Sequence, residues 1–170
     1  KYLPFIPFAI EQFDLRKYDL ILSSSHIAAK GILSSPDQLH ISYVHTPMRY
    51  AWDLMNLYIN NSKYKKILNP LIRYQIHKLR IWDQLSSQRI DKIIANSNFT
   101  ARRIKKYWGR DSKVIFPPVD VDKFNYKSKR GDFYLRVCRL VINKRVDLLV
   151  KAFNYLNLPL VIVGDGPEKE

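Results

Sequence analysis

Three cations, Arg139, Lys144 and Arg145, fall in the run RLVINKRVDLLVKAF, where an apolar strand gives way to an amphipathic helix. A helix start carries unpaired N–H groups and a partial positive charge, so it favours acidic side chains and is weakened by basic ones. Cations at that junction suit an anion-binding site. Their repulsion by the helix end costs a few tenths to about 1 kcal/mol per charge, whereas each charge-assisted hydrogen bond to a phosphate contributes about 1.5–3 kcal/mol. The alternative is that Lys144 and Arg145 point into water or pair with Asp147. A second candidate is His45, which ends a strand in YVHTPMRY. Taken alone, a histidine after a strand is more often an ordinary structural residue. Arg49 and Tyr50 follow at the expected start of a helix. Asn96 and Ser97 end another strand, either lining a cleft or capping the helix that follows.

These residues need a scaffold, and the hydrophobic pattern supplies one. YDLILSS at 18–24, HISYVH at 40–45, KIIANS from 92 and KVIFPP from 113 are short apolar runs bounded by turn or capping residues, the pattern of buried strands. Between them, 70–89 has helical spacing, with Arg73, His77, Arg80, Gln84 and Gln88 in a polar stripe and Ile72, Ile76, Leu79 and Trp82 on another side. A further helix is predicted from Asn98 to just before Gly109, with Asn or Ser as its N-cap and Gly in the left-handed position after its last turn. Strands alternating with helices predict a parallel α/β architecture. Pro117 and Pro118, and the polar run from Asn125 to Asp132, interrupt this rhythm. The expected organisation is a first domain over 1–116, a linker over 117–131 and the start of a second domain over 132–170, where one strand–helix–strand unit leads to GDGP. Ligands of open α/β sheets bind beyond the carboxyl ends of the strands, which is where Arg139 and Lys144 must lie.

With 170 residues, 46% of them hydrophobic and 13% aromatic, the chain can bury an ordinary core. No segment approaches the ~20 apolar residues that span a bilayer, and the first residues do not read as a signal peptide. Cys138 is the only cysteine, so no intrachain disulfide is expected and a reducing cytoplasm is the expected compartment. The net charge of +14 suits nucleic acid, anionic lipid or phosphorylated small molecules, or reflects a solvated basic surface.

Taken together, YVHTPMRYAWDL, IANSNFTARRIKKYWG, VIFPPVDVDKF, RLVINKRVDLLVKAFN and LPLVIVGDGPE resemble the group-one (family four) retaining glycosyltransferases, in particular their mannosyltransferase-like branch in surface polysaccharide assembly. The resemblance covers nearly the whole chain in consistent order. It implies two Rossmann-like domains of the GT-B type, both incomplete here, with the acceptor mainly on the first, the sugar nucleotide mainly on the second, and chemistry in the cleft between them. The implied reaction moves a hexose, with mannose as one candidate, from a nucleotide diphosphate sugar to a saccharide or lipid-linked acceptor. Arg139 and Lys144 fall on the family's basic pair that holds the donor diphosphate. Negative charge grows on the departing diphosphate, so fixed cations there favour the transition state over the ground state, and no metal is expected. His45 matches the family's cleft histidine, which implies a role in positioning or polarising the reactants, and Arg49 and Tyr50 become candidate contacts for acceptor or donor.

The chain also departs from the family pattern. Cys138 stands where Gly or Ser is usual, and Arg136 occupies a commonly apolar strand position whose burial would be costly. The family's opening strand with its glycine-rich loop, and its later segment with two spaced glutamates, are absent, which reads as an internal fragment expected to be inactive alone. The alternative class is a basic module without catalysis. Lys63, Lys65, Lys66, Arg73, Lys78 and Arg80 could lie on an anionic membrane surface, at about 1 kcal/mol each. Such an association would also suit a lipid-linked acceptor, at the cytoplasmic face of the membrane. Nucleic acid is not an expected partner, since no RRM, KH, zinc-finger or helix-turn-helix pattern occurs. With five glycines, neither GxGxxG nor GxxxxGK[ST] can be written, and GDGP alone reads as a tight turn.

Overall fold

The computed structural model describes residues 3–60, 69–124 and 130–169. They divide into two compact units, 1–119 and 120–170. In the first, strands β1 (Leu20–Ser25), β2 (Leu39–Val44), β3 (Lys92–Ala95) and β4 (Lys113–Val114) form one sheet in the order β1-β2-β3-β4. Every pairing is parallel, and Ser25 pairs with Val44 and Val44 with Ala95, so β1, β2 and β3 end level along the carboxyl edge. The helices of this unit are α1 (Ile6–Glu11), α2 (Met55–Asn60), α3 (Asn69–Gln88) and α4 (Asn98–Trp108).

Local chemistry explains α4 most fully. Ser97, in extended conformation, accepts a hydrogen bond from the Thr100 amide at 3.2 Å, while Gly109 takes the left-handed conformation at φ 70° and its amide closes on the Lys105 carbonyl. Lys105 and Lys106 occupy the last turn, where cations complement the helix dipole. Its inward residues Ile104 and Trp108 pack with Val44, Ile90, Ile93 and Ala95 into one buried cluster. A second cluster gathers Met48, Ala51, Ile59 and Ile76.

The continuous apolar run of β1 predicts burial on both faces, as is usual for parallel sheets. Among the described residues only one face is covered: Ile21, Ser23 and Ser25 are buried, whereas Leu20 and Leu22 are 50% and 70% exposed. The covered face is polar as well as apolar. The buried His40 imidazole meets Ser23 Oγ at 2.9 Å, and its backbone amide donates to Asp91. Burial holds the His40 proton affinity below its ordinary value, with Asp91 opposing this and Arg89 adding to it.

At the centre of the unit lies an ion pair that the helical pattern of α3 hid. Lys30, on a short 3-10 turn (Ala29–Gly31), has its ammonium 3.1 Å from Asp83 Oδ1, with both side chains almost fully buried. The ammonium also donates to the Asp83 carbonyl and to Ser86 Oγ, and it stands 4.7 Å and 5.0 Å from the centres of the Trp82 and Trp108 rings. Asp83 Oδ2 accepts the indole N–H groups of Trp52 at 2.9 Å and Trp108 at 2.7 Å. Burial pushes the Lys30 proton affinity down, and Asp83 opposes that. The buried stripe of α3 is therefore Ile76, Leu79, Asp83, Ser86 and Ser87, of which the last three are polar. Arg80, expected on the outer stripe, instead donates to the Ala51 carbonyl and lies over the Trp52 ring.

The second unit holds β5 (Tyr134–Val137), α5 (Val146–Leu156) and β6 (Leu160–Val163), with β5 and β6 parallel. Tyr134 meets Phe153 edge-on at 5.1 Å, which puts α5 on the face shared by Tyr134 and Arg136. Arg136 is exposed, so the burial cost expected for it does not arise. The glycines of GDGP have a steric reason beyond a turn: a Cβ at Gly164 would lie 1.8 Å from the Cys138 carbonyl oxygen, and one at Gly166 2.1 Å from that of Leu140. No helix among the described residues is long and apolar enough to cross a membrane.

Replacing Lys30 by Met removes the charge and leaves the buried Asp83 carboxylate without its counter-ion. A loss of about 3–5 kcal/mol in unfolding free energy is expected. Urea denaturation followed by tryptophan fluorescence measures it, and an unchanged midpoint would show that the pair does not hold the unit together.

Candidate functional site

The carboxyl edge of the first sheet is built by residues that immediately follow its strands. His26 follows β1 and His45 follows β2, and the register of these neighbours brings the two imidazoles to adjacent positions. His45 is exposed, its Nε2 is 2.9 Å from Ser24 Oγ, its ring meets Tyr43 edge-on at 5.5 Å, and its amide donates to the Ser25 carbonyl. The proton affinity of His26 is lowered by partial burial first, then by the charges of His45 and Arg49. Sequence reasoning passed over His26. Its signal was position alone, one residue beyond a strand on the ligand-facing edge.

Arg49 and Tyr50 do not begin a helix. Residues 49–54 form turns in which the Ala51 and Trp52 amides donate to the Met48 carbonyl and the Leu54 amide to that of Arg49, and α2 starts only at Met55. Tyr50 turns inward against the Met48 and Ile76 cluster, and burial, with a smaller effect of Asp83, pushes its phenol up to about 12. Arg49 remains 42% exposed, with its Nε 3.6 Å from Asp53 Oδ2.

What holds this loop is Arg103 of α4, another residue missed in the sequence. The guanidinium is buried and clasps both Asp53 oxygens at 2.7 Å and 2.9 Å, while its Nε donates to Thr46 Oγ1 at 3.0 Å. The rings of Phe99 and Tyr107 flank it at 5.7 Å and 5.1 Å. Burial alone would raise the Asp53 carboxyl, but the hydrogen bonds and charge of Arg103, with a smaller contribution from Arg49, hold it below its ordinary value. Thr100, in the first turn of the same helix, donates to the His45 carbonyl at 3.0 Å. One helix therefore fixes both ends of the loop that carries His45 and Arg49. Asn96 and Ser97 lie at the end of β3, bonded to each other at 3.1 Å, and Ser97 serves as the cap of α4.

In the second unit, the strand-to-helix junction runs through a 3-10 turn (Ile142–Lys144) before Arg145 at φ 50° and the start of α5. Arg145 stands at the N-cap of α5 without a side-chain capping hydrogen bond, and its guanidinium donates to the Asp147 carboxylate at 3.0 Å and 3.1 Å, so its charge is answered locally. Lys144 and Arg139 are exposed, and among the described residues neither side chain makes a hydrogen bond or ion pair. Lys144 shares a shallow hollow of about 380 Å3 with Arg136, Arg145, Leu148, Leu149 and Ala152. Arg139 is not among its lining residues, whereas Arg136, which sequence reasoning had treated as a departure, lines it together with Lys144 and Arg145.

The family profile described as Glycosyltransferase Family 4 matches residues 1–123. No curated protein and no solved structure matches the chain.

Arg103→Lys keeps a cation but cannot chelate both Asp53 oxygens and reach Thr46 together. The amides of Ala51, Trp52 and Leu54 are expected to lose hydrogen-exchange protection by roughly tenfold, equivalent to about 1.4 kcal/mol of local opening. Amides in the interior of α4 should keep theirs, and equal protection throughout would remove the clasp assigned to Arg103.

Proposed function

This chain belongs to Glycosyltransferase Family 4, and from that premise we propose that its protein moves a hexose, mannose being the first candidate, from a nucleotide diphosphate sugar to a saccharide or lipid-linked acceptor with retention of anomeric configuration. The match over residues 1–123 carries the transferase assignment. Support for a diphosphate donor comes from the second unit. The start of α5 has no side-chain cap, Arg145 is neutralised by Asp147, and Lys144 stands beside it with no carboxylate partner among the described residues. Unpaired N–H groups with an adjacent ammonium suit a phosphate. In this reading Lys144 and Arg139 take up charge as the glycosyl–phosphate bond lengthens, so that fixed cations do the work otherwise given to a divalent metal. His45 orients or polarises the reactants. Its Ser24 contact fixes the ring direction, which is what such a role needs. GT-B pairing of the two units, with acceptor recognition by the first, belongs to the same reading.

The proposal extends to the membrane. Leu71, Tyr74, Ile81 and Leu85 form an outward stripe on α3, between 46% and 61% exposed, with Lys78 over the Tyr74 ring in its middle. An amphipathic face of aliphatic residues with cations suits the cytoplasmic surface of an anionic bilayer, where a lipid-linked acceptor would reside. Arg80 takes no part, being bonded inward, and Lys63, Lys65 and Lys66 lie outside the described residues.

Lys144→Ala in the complete protein is expected to lower donor turnover by about 10²-fold with EDTA present, by the measure of losing one preorganised donor. Arg145→Ala should change it far less, and equal activity of Lys144→Ala and the parent at saturating donor would refute the donor assignment. For the membrane, flotation with vesicles rich in anionic lipid should recover the parent chain, and Ile81→Glu with Leu85→Glu should release it. Recovery independent of both changes would show that bulk charge alone drives association.

A further inference from the structure

At the carboxyl edge of the first sheet, the charges do not cancel. Two guanidiniums, Arg49 and Arg103, stand beside one carboxylate, Asp53. Arg103 takes both of its oxygens at hydrogen-bond distance, and Arg49 is left at 3.6 Å, beyond a hydrogen bond. The Arg49 Nε is shielded from water without a hydrogen-bond partner, although the side chain as a whole remains substantially exposed. From the neighbouring strand ends come His26 and His45. The groups that face His26 with a resolved electrostatic effect are His45 and Arg49, and both disfavour its protonated form. Nearby Ser24 and Tyr43 bring a hydroxyl and an aromatic edge, neither of them a counter-charge.

We propose that His26, His45 and Arg49 form a binding site for an anionic group, a phosphate or a carboxylate, borne by the acceptor. The proposal rests on the transferase reading for the word acceptor, but the anion site stands without it, on the strand register that sets His26 beside His45 and on Arg49, weakly tethered in the loop that follows His45. An empty cluster of this kind is repulsive, and a bound anion converts the repulsion into charge-assisted hydrogen bonds from the guanidinium and from any protonated imidazole. Sign follows from linkage. An anion raises the proton affinity of an imidazole beside it, so binding takes up protons and tightens as pH falls, and for His26, whose proton affinity burial and Arg49 hold down, the gain comes below the ordinary histidine range. Arg49 is suited to the role because the loop does not depend on it: Arg103 holds Asp53 and Thr46, and Thr100 holds the His45 carbonyl.

The chain carries its own controls, since it has four histidines and the other two lie elsewhere: His40 is buried and His77 is exposed on α3. Sulfate is the probe, because its charge stays constant across the histidine range. In side-chain 1H–15N spectra of the whole chain, His26 and His45 are expected to shift saturably with sulfate up to about 50 mM, a millimolar affinity being ordinary for a small anion. The sulfate dissociation constant should be roughly fivefold lower near pH 5 than near pH 7.5, in keeping with the lowered proton affinity of His26. Arg49→Gln should weaken binding about tenfold while the His40 and His77 signals stay in place. Absence of saturable shifts at His26 and His45, or an equal response of His77, would mean that sulfate sees only the general basic charge, and the proposal fails.

A second measurement assigns the anion. With the complete protein, Arg49→Gln should raise KM for acceptors carrying a phosphate or a uronic acid carboxylate about tenfold more than it raises KM for neutral sugars. Preference between the two acids tells phosphate from carboxylate. Displacement of sulfate from His26 and His45 by UDP or GDP alone would give the site to the donor and overturn the assignment to the acceptor. Transfer to no acceptor at all, with sulfate still bound, would instead remove the transferase reading and leave the anion site standing.

Discussion

The first unit is organised around one charge taken out of water. An ammonium in a protein interior is tolerated only where a counter-ion and hydrogen-bond acceptors surround it, and Lys30 meets that demand with Asp83, Ser86 and two indole faces. The participants come from four parts of the fold. Lys30 comes from the turn after β1, Asp83 and Trp82 from α3, Trp108 from the end of α4, and Trp52 from the loop after β2. A buried pair of this kind adds little net stability over apolar residues of similar volume, but it tolerates one arrangement of its neighbours far better than any other. The three tryptophans therefore do more than fill space. Two of them donate to Asp83 Oδ2, which fixes the approach of α4 and of the 45–54 loop to α3.

That arrangement reaches the carboxyl edge by short steps. Trp52 is stacked on Tyr107 at 4.6 Å, Tyr107 lies beside the Arg103 guanidinium, and Arg103 holds Asp53 and Thr46. The loop bearing His45 and Arg49 is thus connected to the buried ion pair through packed rings and paired charges. Rigid support of this sort is what a positioning role requires, since small misplacements of reacting groups cost large factors in rate.

Much of the architecture was legible in the sequence because it rests on periodicity and end signals. The four apolar runs of the first unit and the strand–helix–strand of the second appear where alternation and capping residues put them, with α4 bounded by Ser97 and Gly109 as expected. One misplaced residue, Arg80, and three that were passed over share one physical cause. Lys30, Asp83, Arg80 and Arg103 are charged residues taken inward, and periodicity assigns charge to the surface. Nothing local distinguishes Arg103 from its exposed neighbour Arg102, because the carboxylate that draws it in is 50 residues away in sequence. His26 escaped notice for a different reason, since it acquires meaning only when β1 and β2 are laid side by side. The pairing of Lys144 with Arg136 likewise needs the strand face to be known before the two can be seen as neighbours.

Arg49 and Arg103 share Asp53 very unequally, and this separates two duties that one residue often carries. The residue that folds the loop is hidden, while the residue left facing outward is weakly tethered and contributes little to holding the chain in shape. Replacement of the outer arginine therefore changes what the edge attracts without unsettling the scaffold beneath it. A lineage built on this plan can change the charge of that edge by a single exchange at one position, keeping the same interior throughout.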